Sequence, residues 1–147
     1  MHILVLNGPN LNLLGIRETA IYGTKSHKDL VTFLKAVGKR HGIKTTVRQS
    51  NHEGRLIDWL HETLGERYDG VVLNAGAYSH TSYALQDAVK ALDVPVVSVH
   101  LSAISEREPF RRHDIVADAC LATFSGQGFT SYEQAILRIK ETMSHER

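Results

Sequence analysis

The feature that most limits what this chain can fold into is an alternation. Short, near-continuous apolar runs are separated by stretches of helical periodicity. Residues 3–6, 70–73 and 95–99 are almost wholly apolar, and 45–47 and 120–124 are shorter β-branched or apolar runs. A strand with one wet face alternates apolar and polar side chains. A strand covered on both faces has no need to, so these runs predict strands buried between two helical layers. Between them, Leu30, Phe33, Leu34 and Val37 fall at i, i+3, i+4 and i+7. Ser26 with Asp29 is placed as an N-cap and its partner, and Gly42 as the glycine that ends the helix. Leu56, Ile57, Leu60 and Leu64 form a second stripe, and Ala84, Leu85, Ala88, Val89 and Leu92 a third. Tyr132, Ile136 and Ile139 form a fourth, opened by Thr130 with Glu133 three positions on.

The resulting order is β-α-β-α-β-α-β-loop-β-α. Crossovers of this length join parallel strands with a right-handed turn. The pattern predicts an α/β, flavodoxin-like three-layer sandwich with a five-stranded parallel sheet, order 2-1-3-4-5. At 147 residues it is expected to be a single domain over 1–147, large enough to bury a core without staples. Lys plus Arg number 17 and Asp plus Glu 16, so no basic excess points to nucleic acid. The one cysteine, Cys120, excludes an internal disulfide framework and a cysteine-based zinc cluster. Nine histidines are present, but no two stand at the i, i+4 spacing of a zinc helix, and no metal is expected. The apolar runs fall short of the roughly 20 residues a bilayer demands, and the opening residues read as a strand and not as a signal peptide. A cytoplasmic, reducing location is the expectation, with no membrane partner.

In an open parallel sheet, ligands bind beyond the carboxyl ends of the strands. Those ends are rich in polar residues here: Asn7-Gly8-Pro9-Asn10-Leu11-Asn12 after the first strand, Asn74 to His80 after the third, and His100-Leu101-Ser102 after the fourth. The segment from Gly8 to about Lys25 is long for a connection and carries Arg17 and Tyr22, with Gly15 and Gly23 bracketing them. Long loops of this kind commonly serve as lids. An Arg beside a Tyr is as readily a simple stack as a functional pair. Tyrosine titrates near 10, so only about one in a thousand is ionised at pH 7, and a nearby cation typically lowers such a value by roughly 1–3 units. Tyr22 is thereby a candidate general base and Arg17 its cation. A histidine ending an apolar strand serves packing as often as chemistry; His100 is a candidate acid because imidazole titrates near 6.5. The Leu101 and Ser102 amides offer an anion nest. Arg107 and Arg111 are either surface charges or carboxylate clamps.

Together these segments resemble the type II 3-dehydroquinate dehydratases over nearly the full chain. The resemblance rests on residues 6–15, Arg17-Glu18, Ile21-Tyr22-Gly23, Arg48-Gln49-Ser50-Asn51-His52-Glu53-Gly54, Leu73-Asn74-Ala75-Gly76 with Ser79-His80, Ala84-Leu85-Gln86-Asp87-Ala88, Val99-His100-Leu101-Ser102, and Arg107-Glu108 with Phe110-Arg111-Arg112-His113. It implies anti elimination of water from 3-dehydroquinate through an enol or enolate, without metal, Schiff base or other cofactor. By that resemblance Tyr22 is the base, Arg17 favours its ionised form, Asn10 positions a water on the enolate and His100 protonates the departing hydroxyl. Asn74, His80 and Arg111 would hold substrate hydroxyls and the Leu101 and Ser102 amides its carboxylate. Asp87 would reach a neighbouring subunit's site, Arg107 would close over it, and residues 17–24 would be the lid. The implied assembly is a homododecamer, a tetramer of trimers, serving either the shikimate pathway or quinate catabolism.

The chain departs from the family at several positions. Ser98 stands where the family usually has Glu. Residues 98 and 100 share one face of the strand. A carboxylate at 98 would orient His100; a serine brings no charge, so the acid limb of the rate profile is expected to move. The family usually has Asn at the Ala103 position, His-Ala at Ser105-Glu106 and Gly at Ser131. The alternative function is an impaired relative that binds a small carboxylic acid without turnover. A receiver domain would need Asp where Asn74 ends the third strand, and a flavin carrier a Ser/Thr-rich loop where Gly8-Pro9-Asn10-Leu11-Asn12 stands.

Overall fold

The computed structural model describes residues 1–146; the last residue of the domain expected over 1–147 lies outside the described residues. Five parallel strands form one sheet: β1 His2–Asn7, β2 Lys44–Gln49, β3 Gly70–Asn74, β4 Val96–His100 and β5 Ala122–Ser125, in the order β2-β1-β3-β4-β5. The register pairs Asn7 with both Gln49 and Asn74, so the ends of the three strands are level. Helices are α1 Thr19–Tyr22, α2 His27–His41, α3 Glu53–His61, α4 Tyr83–Lys90 and α5 Thr130–His145.

β1 explains why its sequence lacks alternation. Ile3 and Val5 pack with Leu30, Leu34 and Val37 of α2 and with Tyr132, Ile136 and Ile139 of α5. Leu4 and Leu6 face the other way, onto Leu56 and Leu60 of α3 and Leu85, Ala88 and Val89 of α4. Each fully buried aliphatic side chain stabilises the fold by about 1.5–3 kcal/mol. The edge strands β2 and β5 are only partly covered, which is why they retain Thr, Arg, Gln and Ser.

Helix ends follow the sequence in α2. Ser26 Oγ accepts from the Asp29 amide, Asp29 returns the bond to Ser26, and Gly42 ends the helix in the left-handed conformation. α5 is different: Phe129 is its N-cap, without a side-chain capping bond, and Glu133 reaches across to Arg40 of α2. The expected Thr130 cap is absent because Phe129 already has helical backbone and Thr130 lies inside the helix. Leu64 also leaves its expected stripe. α3 ends at His61, a tighter turn follows over Glu62–Gly65, and the change of period swings Leu64 into solvent.

Two glycines fix the region beyond β1. A Cβ on Gly8 would stand 2.5 Å from the Ala75 carbonyl oxygen, so glycine lets the chain leaving β1 cross close to the end of β3. Gly15 has φ +84°, and a Cβ there would lie 2.7 Å from the Thr24 carbonyl oxygen. Residues 15 and 24 thus meet, and α1 lies within the stretch they close. Among the described residues no helix is long and apolar enough to cross a membrane.

Candidate active site

A cavity of about 110 Å³ opens at the carboxyl ends of β1, β3 and β4, where the strand order reverses. It is lined by Asn10, Arg17 and Tyr22 from the segment after β1, by Asn74 and His80 around the end of β3, and by His100, Leu101, Ser102, Arg107 and Arg111 from β4 and its following loop. Ten of the eleven residues singled out in the sequence therefore meet in one place. Asp87 does not. It lies exposed on α4, outside this cavity.

The side formed by the segment after β1 is cationic around a phenol. The Arg107 guanidinium donates to Tyr22 Oη at 3.0 Å and also lies over the ring, 5.7 Å from its centroid. The hydrogen bond to Tyr22 is the first cause that raises the Arg107 guanidinium above the ordinary arginine value. Arg17 stacks on the same ring at 5.3 Å and makes an ion pair with Glu18 at 3.1 Å. The cation bonded to the phenol oxygen in this structure is thus Arg107, and Arg17 contributes from the ring face. Glu18 holds φ 43°, a left-handed backbone uncommon outside glycine. Asn10, at φ 68°, tolerates that region, and its amide donates to Asn51 Oδ1 at 3.0 Å.

The floor is buried and densely bonded. Tyr132, fully buried in α5, donates to Asn7 Oδ1 at 2.6 Å and accepts from Asn74 Nδ2 at 2.9 Å. Burial pushes the Tyr132 hydroxyl well above the ordinary tyrosine value, so it remains a neutral donor. Asn74 Oδ1 accepts from the Gly76 amide at 3.2 Å, which orients the side-chain amide. On the far side of Asn7, Nδ2 donates to His27 at 3.2 Å, and burial lowers the His27 pKa, as befits an accepting imidazole. Sequence reading assigned Tyr132 to the core alone; its side chain fills core and polar roles at once.

The two cavity histidines are stacked, with centroids 6.3 Å apart and planes 16° from parallel. His80 Nδ1 lies 2.8 Å from the His113 carbonyl oxygen. A carbonyl only accepts, so Nδ1 carries the proton and a neutral His80 keeps Nε2 as an acceptor. His100 Nε2 lies 2.6 Å from Asp114 Oδ2, and Ser98 Oγ donates to that same oxygen at 3.0 Å. Position 98 brings no charge, but Asp114 sets a carboxylate beside the imidazole. Asp114 was not singled out in the sequence because it comes from an irregular loop whose spacing carries no periodic signal. Arg111 Nε is buried without a hydrogen-bond acceptor, Glu108 standing 3.4 Å away without making one, which leaves a donor unspent. Among the described residues, no group of three or more His, Cys, Asp or Glu could hold a metal ion.

Residues 1–140 match the family described as Dehydroquinase class II. A 3-dehydroquinate dehydratase of Bacillus pumilus is 52% identical over 135 residues, covering 92% of this chain and 91% of that protein. One from Rhizobium johnstonii is 50% identical over 138 residues, 94% of each. The crystal structure of a type II dehydroquinase from Butyrivibrio crossotus superposes with a TM-score of 0.93 at 42% identity, covering 95% of this chain and 97% of the other. A 3-dehydroquinate dehydratase-like protein from Bifidobacterium longum has a TM-score of 0.72 at 28% identity, covering 98% of each chain.

Proposed function

The chain belongs to the class II dehydroquinases, an enzyme family of 3-dehydroquinate dehydratases, and from that premise we propose that it converts 3-dehydroquinate to 3-dehydroshikimate and water by anti elimination through an enolate. Tyr22 is the general base and His100 the general acid. One observation carries this reading: a tyrosine oxygen bonded to a guanidinium and a carboxylate-paired imidazole line one small cavity.

The hydrogen removed lies next to a ketone, so the base needs no nucleophile and no cofactor. Arg107 on the oxygen and Arg17 on the ring face set two cations around the phenol oxygen that must take it. As the carbon–hydrogen bond breaks, charge moves to the ketone oxygen, where Asn10 positions a water to receive it. Donors fixed in advance are worth about 2.7–4 kcal/mol each at such an oxygen. The enolate then expels the hydroxyl, which takes a proton from His100 and leaves as water. Tyr22 ends the turnover protonated and His100 deprotonated, and one proton passed through solvent resets both. Asn74, His80 and Arg111 hold the substrate's hydroxyls, and the Leu101 and Ser102 amides its carboxylate. A closed lid over residues 17–24 excludes water and strengthens all of these contacts.

Asp87, exposed on α4, is proposed to complete the site of a neighbouring subunit in a dodecamer of four trimers, working in the cytoplasm in aromatic biosynthesis or in quinate catabolism. A ligand-binding relative without turnover loses its main support once Asp114 supplies the charge that Ser98 lacks. The direct test is ultraviolet detection of the conjugated product. Wild type forms it, and Tyr22→Phe does not; an inert wild type, or an unimpaired Tyr22→Phe, sinks the assignment.

A further inference from the structure

Asp114 is a buried carboxylate that the roles above do not use. Its side chain is 4% exposed and that of His100 7%, so water reaches neither side of the pair. Such a pair persists only if its remaining hydrogen-bonding capacity is met, and here it is. Oδ2 receives the imidazole Nε2 at 2.6 Å and the Ser98 hydroxyl at 3.0 Å, and Oδ1 receives the Ala117 amide at 2.8 Å. Burial would raise the carboxyl, but the His100 hydrogen bond and charge, the Ala117 amide and the Ser98 hydroxyl outweigh it and hold it below the ordinary Asp value.

We propose that Asp114 is the positioning residue of the acid in this chain: accepting from Nε2–H, it turns Nδ1 toward the cavity and stabilises the imidazolium that delivers the leaving-group proton. The inference rests on the elimination proposed above. The proton leaves Nδ1 for the departing hydroxyl oxygen, whose carbon–oxygen bond takes its electron pair with it. Nε2–H stays on the imidazole, and Asp114 remains ionised throughout. Ser98 has a matching part. Two residues before His100 on the same face of β4, it is too short to replace a carboxylate there and instead holds one brought from the following loop. The Oδ1 bond to Ala117 is a turn-capping contact, the only role Asp114 would have if it were merely structural.

The other ionisable groups around the imidazole are few. His80 stacks on it at 6.3 Å, Tyr22, Arg17, Arg107 and Arg111 face it across the cavity, and Cys120 lies near Asp114. Burial first, and the Asp114 charge second, push the Cys120 thiol up to about 12, so it stays neutral across the working range.

Asp114→Asn separates the two roles. An amide keeps an oxygen for Ala117 but turns an N–H₂ toward Nε2, which favours the opposite tautomer. The expected result is a kcat loss of about 10–100-fold with KM within about threefold, and a shift of the acid's limb in the pH–rate profile to lower pH by about one unit. The double variant Ser98→Glu/Asp114→Ser recovers most of the rate, whereas Asp114→Ser alone does not. Unchanged kcat and profile in Asp114→Asn overturn the proposal. So does a loss of rate accompanied by lowered melting temperature and an unmoved profile, which marks a capping role only. If Asp114→Asn does not fold, Ser98→Ala, which removes one donor from Oδ2 and leaves the cap intact, must move the profile to higher pH, because the carboxylate is left a stronger partner of the imidazolium; an unmoved profile overturns the proposal. Nitrogen NMR of labelled histidine in ligand-free protein reads the pair without turnover: Nε2 protonated in neutral wild-type His100, Nδ1 in the Asn variant. An inert wild type with that signature overturns the reaction; an active wild type without it overturns the pairing.

Discussion

The two sides of the cavity are built by opposite strategies. The side of the proposed acid is buried: His100, Asp114 and Ser98 satisfy one another within the fold, and Asn7, Asn74 and Tyr132 lock the adjacent floor beneath it. The proposed base is carried on a segment in which Glu18 and the whole of Thr19–Ile21 are exposed and Tyr22 is only half-buried. Tyr22 packs at the margin of the core and is held by two cation–ring stacks and one bond from Arg107, itself on a loop. A preorganised acid needs no motion to act. A base on a lid acts only when the lid closes, so substrate binding can gate the proton abstraction while the floor stays still. Loss on the lid should therefore be paid in rate, and loss in the floor in stability.

The largest expected effect lies on the lid. Tyr22→Phe removes the proton acceptor and leaves the ring that Arg17 and Arg107 cover. General-base losses are commonly about 10²–10⁴-fold, so kcat should fall by about a hundred- to ten-thousandfold while a substrate analogue binds within about tenfold and the melting temperature hardly moves. A large drop in melting temperature would break the comparison, because it would make the lid part of the cooperative core.

Tyr132→Phe makes the converse test in the floor. Deleting one oxygen strands Asn7 Oδ1 and frees Asn74 Nδ2, both in buried residues, at a cost of about 1–3 kcal/mol in denaturant unfolding. Rate should suffer less than in Tyr22→Phe, through a looser Asn74. The acid pair adds a pH signature. The Asp114 carboxyl is depressed in the fold, so its stabilisation is complete above the unfolded Asp value of about 3.9 and is lost as pH falls through the lower folded value. Once Asp114 is protonated, a buried imidazolium has lost its counter-charge. The gap in melting temperature between wild type and Asp114→Asn should therefore narrow steadily below about pH 4. Parallel curves would mean that Asp114 carries no charge in the fold.

The same contrast explains what the sequence made legible. Helical stripes are periodic and the buried strands are short apolar runs, both local signals, so the elements were legible and the crossover rule gave the sheet order; the ten cavity residues came from the polar strand ends and the family resemblance. Asp114 was not legible because its partner is set by how an aperiodic loop folds back over β4, fourteen positions beyond the histidine. Tyr132 was half-legible: a core stripe predicts the ring's burial but not where its hydroxyl goes. The α5 cap failed because the helical backbone reaches back to Phe129, one residue before the Thr130 that the sequence offered. The bond from Arg107 to Tyr22 spans 85 positions, whereas the Arg17 stack is local; the sequence pointed to the local cation first.

The smallest expected effect sharpens the contrast most, because it asks whether the lid stores anything at rest. Arg17 and Glu18 pair at 3.1 Å with 40% and 46% of their side chains exposed. Exposed pairs of this kind contribute about 0–1 kcal/mol and are screened by salt. Glu18→Gln keeps the size and nearly the same backbone preference at φ 43° while removing the charge. If the pair is incidental, kcat should stay within about twofold of wild type at every ionic strength and the melting temperature within about a degree. The competing possibility is that Glu18 draws Arg17 away from the phenol until substrate arrives. Then the variant should turn over faster at low salt, with the difference vanishing as salt rises and screens the pair in wild type. A salt-dependent gain would make the lid a charge-held latch; its absence leaves closure to the substrate's own contacts with Arg107 and the floor.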